Sequence, residues 1–268
     1  MGGKPRYNAR PTEYAMPEQK QNIAWITGGS SGIGRALAAR LARTGWTVAV
    51  SSRRADALQE TARLDGTNIH IYPLDVGEVA AVRQTAARIE AELGPIALAV
   101  FSAGIGRFLK LDLLRAEIFA EHMRTNYLGV VNGVDAVLPY FRARHAGHIV
   151  ILASLAGYRG LPQGAAYAPT KAALINLTES LRFALEREGI TISVCNPGFI
   201  DTPMTADNHF AMPFLMHVDA AAERLYRGIL KRKFEIVFPR RLAWLTKLMR
   251  ILPYPLYFAL LKKFYSHR

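Results

Sequence analysis

A serine, a tyrosine and a lysine in the middle of the chain have the types and spacing for proton transfer. Tyr167 and Lys171 are four residues apart, so on a helix they project from the same face, one turn apart. An ammonium group beside a phenol favours the phenolate and is expected to lower the pKa of Tyr167 from about 10 toward neutrality. Such a phenol donates or accepts a proton at working pH, and Ser154 offers a hydroxyl to the same reacting oxygen. The same spacing occurs on solvated helices that do no chemistry, so the set needs a partner elsewhere in the chain.

Two elements are predicted to hold these side chains. Residues 148–153 form an apolar run that is typical of a buried strand and leads directly into Ser154. Residues 172–188 carry apolar side chains at helical spacing, so Tyr167 and Lys171 lie where a long helix begins. The three side chains are therefore predicted to lie at a strand-to-helix junction.

A second strand-to-helix junction, near the start of the chain, is rich in glycine. Residues 22–27 read as a buried strand, and a helical pattern follows the glycines. Gly28 allows a tight turn, Gly32 lets the backbone approach a pyrophosphate, and Gly34 lets the helix pack close to the strand. The helix N-terminus then presents free N–H groups to phosphate. This context favours a dinucleotide site, with an ordinary glycine-rich loop as the alternative.

Together the two junctions resemble the short-chain dehydrogenase/reductase family over roughly residues 21–240. The segment Thr27–Gly34, TGGSSGIG, is similar to that family's cofactor turn. The spacing of Ser154, Tyr167 and Lys171 is similar to its catalytic set. The resemblance implies a Rossmann-like fold and an oxidoreductase that exchanges a hydride with a nicotinamide cofactor.

The resemblance also implies further site residues. Asn126 would be a fourth catalytic residue, holding a water that links Lys171 to solvent, and Lys171 would also bind the nicotinamide ribose. Members commonly have Asn-Asn-Ala-Gly where this chain has Phe101–Gly104, which keeps the small Ala-Gly pair and loses both asparagines. Asp75 and Val76 would lie against adenine, and Thr202 would bind the carboxamide. The cofactor set predicted in this way is Gly28, Ser30, Ser31, Gly32, Ile33, Gly34, Asp75, Val76, Ser102, Ala103, Gly104, Tyr167, Lys171, Pro197, Gly198, Ile200 and Thr202.

The end of the next predicted strand indicates which dinucleotide is bound. A protein that prefers NAD carries an acid there for the ribose 2′-hydroxyl, but this chain has Ser52 followed by Arg53 and Arg54. An acid would repel a 2′-phosphate, whereas an arginine binds it bidentately. These residues predict NADP(H) as the cofactor, with solvated loop charge as the alternative.

The order of the predicted elements indicates the fold class. Strands and helices alternate, which predicts a single-domain doubly wound parallel sheet with helices on both faces. Ligands bind beyond the carboxyl ends of such strands, where Gly28, Asp75, Ala103, Ser154 and Pro197 all lie. The predicted bounds are a disordered segment over residues 1–20, the NADP(H)-binding domain over 21–239 and a basic amphipathic extension over 240–268.

Composition restricts the other function classes. The 268 residues are 50% apolar, enough for a sizeable core, and the lone Cys195 excludes an intrachain disulfide and fits a reducing compartment. No histidine lies at metal-ligand spacing with a carboxylate or cysteine, so no metal is expected. No signal peptide or uncharged apolar run of spanning length is found, which predicts a cytoplasmic location, with peripheral association on the inner face of a membrane as an alternative.

The net charge of +13 is concentrated at the end of the chain. From Lys231 to Arg268 there are ten basic residues and one acid, Glu235, so +9 of the +13 lies in this stretch. Apolar residues recur at helical spacing from Leu242 to Leu252, and Pro253 interrupts the helix. This pattern suits the surface of an anionic bilayer, but a helix packed on the domain or on a second subunit would look the same. Nucleic acid is disfavoured because no binding fold accompanies the charge.

These observations predict an NADP(H)-dependent oxidoreductase acting on a hydrophobic alcohol or carbonyl compound, with Tyr167 as general acid/base. The hydrophobic substrate is inferred from a predicted lid that contains Phe210, Met212, Phe214, Leu215 and Met216, although these could also pack in the core. Family members are commonly dimers or tetramers, so a homo-oligomer is expected. The alternative is a protein of the same fold that binds NADP(H) or a membrane without catalysis.

Overall fold

The computed structural model describes residues 22–106, 109, 111–206 and 211–265. The predicted disordered segment and Phe210 of the predicted lid therefore lie outside the described residues. The strands are β1 Ile23–Thr27, β2 Thr47–Ser51, β3 Ile69–Ile71, β4 Ile96–Phe101, β5 Gly147–Leu152, β6 Ile190–Pro197 and β7 Glu235–Phe238. Within the described residues they form one seven-stranded parallel sheet in the order β3-β2-β1-β4-β5-β6-β7.

The helices lie on both faces of this sheet, which confirms the predicted fold class. They are α1 Gly32–Ala42, α2 Ala55–Ala62, α3 Val79–Glu92, α4 Ala116–His122, α5 Gly129–Arg144, α6 Ala168–Arg187, α7 Pro203–Ala206, α8 Val218–Leu230, α9 Arg240–Ile251 and α10 Tyr254–Tyr265. Buried side chains of α1, α2 and α8 pack on one face, and those of α3, α5 and α6 pack on the other. The strands are apolar along most of their length because both of their faces are covered in this way.

The strand order reverses direction between β1 and β4, and this point positions the candidate site. The chain winds from β1 outward to β3, returns to β4 beside β1, and then winds outward to β7. A crevice opens at such a reversal beyond the carboxyl ends of the strands. The glycine turn after β1 and the segment after β4 meet there, and Ser154 follows the neighbouring β5.

The C-terminal extension folds as two helices. α9 ends at Ile251 and α10 begins at Tyr254, so the chain bends near Pro253 as predicted. Leu242 and Ala243 of α9 are buried in the core cluster that also contains side chains of α5 and α6. Among the described residues, no helix has both the length and the apolar character needed to cross a bilayer.

Candidate active site

The glycine turn between β1 and α1 depends on backbone approaches that a side chain would block. Gly28 has φ +74°, and a Cβ built on it would lie 2.7 Å from the backbone nitrogen of Ala103. A Cβ on Gly34 would lie 2.4 Å from the carbonyl oxygen of Gly28. These two glycines therefore let β1, α1 and the end of β4 come together, which leaves the first turn of α1 facing the crevice.

The end of β4 is tied to the end of β1 by two hydrogen bonds. The Ser102 hydroxyl donates to the Thr27 carbonyl at 2.5 Å, and the Ala103 amide donates to Thr27 Oγ1 at 3.3 Å. Ser102, whose side chain is shorter than that of asparagine, thus forms a hydrogen bond at this edge of the crevice. Ala103 and Gly104 leave room beside it.

The arginines after β2 lie over the glycine turn. Arg54 Nη2 donates to Ser30 Oγ and to Ser31 Oγ, each at 3.1 Å. The Ser52 hydroxyl accepts from the Arg54 amide at 3.2 Å, and Arg53 is exposed beside it. A guanidinium and three hydroxyls therefore border one end of the crevice, where no described acidic side chain lines it except Asp75.

Ser154, Tyr167 and Lys171 meet at the other end of the crevice. α6 begins directly after Tyr167, and the Lys171 amide donates to the Tyr167 carbonyl at 3.3 Å, so the two side chains are one helical turn apart. The Ser154 hydroxyl is hydrogen-bonded to the Tyr167 side chain. Lys171 Nζ donates to the Leu152 carbonyl at 2.9 Å and lies 5.5 Å from the centroid of the Tyr167 ring.

Burial determines the protonation states of this group. It raises the pKa of Tyr167 to about 12, against the opposing effect of the Ser154 hydrogen bond. It also lowers the pKa of Lys171 to about 8. The prediction that Lys171 lowers the pKa of Tyr167 toward neutrality is therefore wrong for this structure. Loss of hydration dominates the pKa of Tyr167, and the Lys171 ammonium donates its hydrogen bond to the Leu152 carbonyl.

One cleft of about 390 Å³ joins the two ends. All nineteen predicted cofactor residues line it: Gly28, Ser30, Ser31, Gly32, Ile33, Gly34, Arg53, Arg54, Asp75, Val76, Ser102, Ala103, Gly104, Tyr167, Lys171, Pro197, Gly198, Ile200 and Thr202. Ser154 lines it as well. The cleft therefore runs along the carboxyl ends of the strands from the arginines to the tyrosine.

Comparison with known proteins agrees with this arrangement. A family model described as short chain dehydrogenase matches residues 22–211. The chain belongs to the short-chain dehydrogenase/reductase family. It is accordingly an oxidoreductase with a Rossmann-type, nucleotide-binding fold.

Three relatives illustrate the extent of the likeness within the family. An "uncharacterized oxidoreductase" of Myxococcus xanthus is 38% identical over 245 residues, which cover 90% of this chain and 97% of that protein. The apo form of LigD from a Sphingobium species is 30% identical with a TM-score of 0.74, covering 85% of this chain and 94% of that one. An alcohol dehydrogenase from the archaeon Thermococcus sibiricus, complexed with 5-hydroxy-NADP, is 28% identical with a TM-score of 0.71, covering 82% and 96%.

Asn126 has a different position from the other members of the predicted catalytic set. It lies in a π-helical segment, Met123–Leu128, between α4 and α5, and its side chain is fully buried outside the lining of the cleft. Its Oδ1 accepts from the Ile105 amide at 2.7 Å, and its Nδ2 donates to the Ile105 carbonyl at 2.9 Å and to Thr170 Oγ1 at 3.1 Å. In this family member it joins the segment after β4 to α6, next to Lys171.

The loop after β6 is closed over the glycine turn. A Cβ on Gly32 would lie 3.3 Å from Cγ2 of Thr202, and Ile200 forms an isolated β-bridge with Met216. The lid segment predicted to be apolar is thereby paired with the loop that the family uses for the nicotinamide. Phe214 and Leu215 of this segment are exposed, so they are not part of the core.

The cleft has further lining residues that sequence reasoning did not assign. They are Ser52, Leu74, Ile105, Thr125, Leu152, Ala153, Pro203, Met204 and Thr205. Ser52, Ile105 and Ala153 directly adjoin predicted residues, so proximity in sequence could have found them. Met204, on α7, belongs to the stretch from Pro197 that resembles the family's nicotinamide-side loop, whereas Thr125 is brought in by the π-helical segment, which no sequence pattern indicated.

A second cavity of about 410 Å³ lies beside the segment between Ser154 and Tyr167. It is lined by Leu109, Leu111, Leu114, Phe119, Gln163 and Ala165. Near Tyr167 itself, a Cβ on Gly106 would lie 3.2 Å from Sδ of Met204 and 3.5 Å from the tyrosine ring. Met204 therefore lies near the tyrosine ring, and the lining of the second cavity is mostly apolar.

Proposed function

We propose that this protein is an NADPH-dependent reductase of a hydrophobic ketone or aldehyde. The observation that carries the proposal is the single cleft with arginines and serines at one end and the Ser154, Tyr167 and Lys171 group at the other. A dinucleotide phosphate needs positive charge and free amides at one end and a proton donor near its nicotinamide at the other. The lining residues supply both.

The residues fit the cofactor that the family implies. The turn at Gly28 and Gly34 is open only because these residues lack a Cβ, so the backbone can approach a pyrophosphate. Arg53 and Arg54 would hold the 2′-phosphate, and Asp75 and Val76 would lie against adenine. Lys171 would bind the nicotinamide ribose, and Thr202 with the backbone near Ile200 would bind the carboxamide. When bound, the reduced nicotinamide supplies the hydride that goes to the carbonyl carbon.

The protein's own side chains donate the proton and stabilise the charge that develops on the carbonyl oxygen. The Tyr167 hydroxyl donates its proton to the carbonyl oxygen, so hydride and proton together convert C=O to CH–OH. The Ser154 hydroxyl donates a hydrogen bond to the same oxygen as negative charge develops on it. Because burial keeps the pKa of Tyr167 at about 12, the phenol is protonated at neutral pH and suits reduction better than oxidation. Lys171, one helical turn from Tyr167, would hold the nicotinamide ribose beside the phenol, and Asn126 holds the surrounding segments and completes the relay of the replacement proton.

Two observations support NADP(H) over NAD(H). Arg54 already reaches Ser30 and Ser31 across the glycine turn, and Ser52 stands where an acid would exclude a 2′-phosphate. The Thermococcus sibiricus relative, which is complexed with 5-hydroxy-NADP, has the same fold over 82% of this chain.

The partners that we propose are a small apolar substrate, a second copy of the chain and an anionic membrane surface. Leu109, Leu111, Leu114 and Phe119 of the second cavity and Met204 near Tyr167 favour an apolar substrate. The basic residues of α9 and α10 favour an anionic membrane surface, on which the domain of residues 21–239 would lie from the cytoplasmic side. Among the described residues, no cluster of His, Cys, Asp or Glu side chains favours a metal, and nucleic acid is not proposed as a partner.

The competing proposal is a protein of this fold that binds NADP(H) without catalysis. Burial lowers the pKa of Lys171 to about 8, so keeping this lysine charged in the folded protein costs free energy. A protein that only binds NADP(H) would gain no catalysis in return for this cost. The filled positions of Asn126, Ser154, Tyr167 and Lys171 therefore favour the enzyme.

Tyr167→Phe tests the proposal directly. The variant should reduce a panel of hydrophobic ketones, aldehydes and quinones at least about 1,000-fold more slowly, because its only change is the loss of the donated proton. NADPH binding, measured by fluorescence titration, should be retained. Tyr140→Phe, a partly buried tyrosine on α5, serves as the matched control and should keep full activity. Normal turnover by Tyr167→Phe would refute the mechanism, and silence of the wild type across the panel would favour the non-catalytic protein.

A further inference from the structure

The last two helices present an unusual number of large apolar side chains to solvent. Trp244, Leu248 and Ile251 are 77%, 56% and 76% exposed, and their spacing of four and three residues places them on one face of α9. Tyr254 and Phe258 of α10 are also exposed, and their rings stack at a centroid distance of 5.9 Å. We call these five side chains the apolar stripe.

Basic residues flank the apolar stripe, and acids are absent from it. Arg240, Arg241, Arg250, Lys262 and Lys263 are all exposed, and the sequence from 239 to 268 contains no aspartate or glutamate. The one basic residue of α9 that forms an ion pair, Lys247, is paired with Glu235 of β7. Arginines and lysines beside exposed Trp, Tyr and leucine side chains match the headgroup region of an anionic bilayer in both charge and polarity.

Arg159 ties the other face of the helix pair to the domain. Arg159 Nη1 donates to the carbonyls of Met249 and Leu252, each at 2.6 Å, and to that of Arg250 at 3.1 Å. Its guanidinium also lies 4.0 Å from the centroid of the Tyr257 ring. Tyr257 is buried, and its hydroxyl donates to the Gly160 carbonyl. We call this set of contacts the Arg159 clamp.

The clamp belongs to the segment that separates Ser154 from Tyr167. Arg159 and Gly160 hold the tail, while Gln163 and Ala165 of the same segment line the second cavity. On the neighbouring loop, a Cβ on Gly198 would lie 2.8 Å from Cδ2 of Leu242, so α9 also supports the loop after β6. The apolar stripe is thus carried on helices that touch both loops bordering the candidate catalytic group.

We propose that the apolar stripe docks on an anionic bilayer. The Arg159 clamp then holds the segment between Ser154 and Tyr167 beside the bilayer surface, so that the enzyme reduces carbonyl compounds dissolved in the bilayer. The docking part of the proposal depends only on the exposed side chains of the apolar stripe and on the basic residues of α9 and α10. The part concerning the substrate rests on the proposed reductase function. Arg159 is in this view a positioning residue, because it contacts neither the catalytic hydroxyls nor the cleft lining.

Vesicle sedimentation of the full chain tests the docking part without any need for activity. The protein should pellet with vesicles of phosphatidylcholine and phosphatidylglycerol and remain largely in solution with phosphatidylcholine alone. Trp244→Ser with Leu248→Ser and Ile251→Ser should abolish pelleting. The matched control changes three exposed apolar residues on other elements, Leu64→Ser, Val79→Ser and Leu230→Ser, and should pellet like the wild type.

The contribution of charge is tested by a second pair of variants. Replacing Arg240, Arg241, Lys262 and Lys263 by Gln should lower the vesicle partition coefficient by roughly 600-fold, since each basic residue near an anionic surface adds about a factor of five. Lys231→Gln with Lys233→Gln removes exposed charge outside the helix pair and should have a much smaller effect. Equal binding of all variants would overturn the docking proposal. So would a stripe variant that loses only self-association in sedimentation velocity, because a second copy would then be the partner.

The coupling to substrate is tested with Arg159→Met. Its KM for a ketone carried in anionic vesicles should rise about 10-fold or more, whereas NADPH binding and kcat for a short water-soluble ketone should stay close to wild type. Arg187→Met, an exposed arginine at the end of α6, is the control and should change neither KM. Equal losses on both ketones would mean that the clamp is only structural and would overturn the coupling. Inactivity of the wild type on both ketones, with vesicle binding intact, would instead count against the reductase function.

Discussion

At the scale of single residues, loss of hydration controls the two side chains at the candidate catalytic end. The Tyr167 hydroxyl is hydrogen-bonded to Ser154, and burial raises the pKa of Tyr167 to about 12. Lys171 is 5% exposed, and burial lowers its pKa to about 8. Both shifts favour the neutral form of the side chain, as expected for a group removed from water. At neutral pH the Tyr167 phenol therefore carries a proton that it can donate. Lys171 remains charged at this pH, and its burial in the charged form costs free energy of folding.

The free-energy cost of burying the Lys171 ammonium leads to a prediction for the stability of Lys171→Met. The pKa of Lys171 in the folded protein lies below its ordinary value of 10.5, so below pH about 8 the folded state bears the full penalty of a buried ammonium. The difference in pKa corresponds to about 3 kcal/mol, from which the lost hydrogen bond to Leu152 removes about 1 kcal/mol. Lys171→Met should therefore be more stable than the wild type by about 1–2 kcal/mol at pH 7, although it should not turn over substrate.

The pH dependence of this effect provides the check. Between pH 8 and 10.5 the unfolded wild type binds more protons than the folded protein, so its stability rises with pH relative to the variant. Urea unfolding at pH 7 and pH 10 should show the advantage of Lys171→Met shrinking at the higher pH. A variant that is less stable at both values would show that the hydrogen bond of Lys171, and not its charge, dominates.

Arg53 and Arg54 lead to a prediction on cofactor choice. Arg53→Ala with Arg54→Ala should lower kcat/KM for NADPH by about 10- to 100-fold and leave that for NADH nearly unchanged, because a charged hydrogen bond to phosphate contributes about 1.5–3 kcal/mol. Initial rates with both cofactors measure this. Arg63→Ala, an exposed arginine at the end of α2, should behave as the wild type. Equal use of the two cofactors by the wild type would mean that these arginines do not contact the 2′-phosphate.

At the scale of elements, close backbone approaches hold the crevice open. α1 rests on the turn after β1 at Gly34, where a Cβ would be 2.4 Å from the Gly28 carbonyl and 2.7 Å from Ser102 Oγ. The contacts are with backbone and with the end of β4, so neither neighbour can give way without moving a whole element. The position of α1 relative to β1 and β4 thus depends on one missing methyl group.

Gly34→Ala should move α1 away from the turn. We expect NADPH affinity to fall by at least about 10-fold and the free energy of unfolding to fall by about 1–3 kcal/mol, as for other overpacked sites. Isothermal titration and urea unfolding measure the two effects. Gly66→Ala is the control, because a Cβ there meets no atom within 4 Å. Unchanged NADPH affinity in Gly34→Ala would show that the dinucleotide does not lie along this turn.

The segment around Asn126 shows how an irregular helix can serve a site. The π-helical turn of Met123–Leu128 places Asn126 against the backbone of Ile105 and against Thr170 of α6. Such turns are rare within α-helices and are frequent at functional sites. In this protein the π-helical turn is linked through Asn126 to the segment after β4 and to α6, the helix that carries Lys171.

At the scale of the whole molecule, exposed apolar side chains remain outside the crevice on several elements. Among them are the apolar stripe of α9 and α10, Met123 and Leu128 of the π-helical segment, and Phe183 of α6, which is 73% exposed. The π-helical segment bears Asn126 and α6 follows Tyr167, and the family resemblance implies association through these helices, so we expect a homo-oligomer formed through Leu128 and Phe183.

Leu128→Lys with Phe183→Lys tests the association. Charges placed on both helices should convert the oligomer to monomers, because an interface core excludes unpaired charge. Sedimentation velocity should show the change in mass. Leu64→Lys, on the end of α2, is the control and should leave the mass unchanged. A wild type that is already monomeric would leave this surface without a partner and refute the prediction.

The fold and most of the lining of the cleft were predictable because they depend on local spacing. The glycine pattern, the alternation of apolar strands with helical segments, and the Ser154, Tyr167 and Lys171 spacing are all periodic or short-range signals. α8 was not predicted, although Ala221, Leu225 and Ile229 recur at helical spacing and are buried. That signal was present in the sequence and was overlooked. The π-helical turn had no such signal, since it follows from packing against Ile105 and Thr170.

The family, the parallel sheet and the order in which site residues reach its carboxyl edge can be read from the chain, because each of these is encoded by neighbours along it. The burial of Tyr167 and Lys171 and the contacts of Arg159 with α9 and α10 become apparent only in the folded protein. The fold also sets which face of α9 is buried against the domain and which is left in solvent. These properties are sums over atoms that are distant in sequence, and burial cannot be assigned to a residue before its neighbours in space are known.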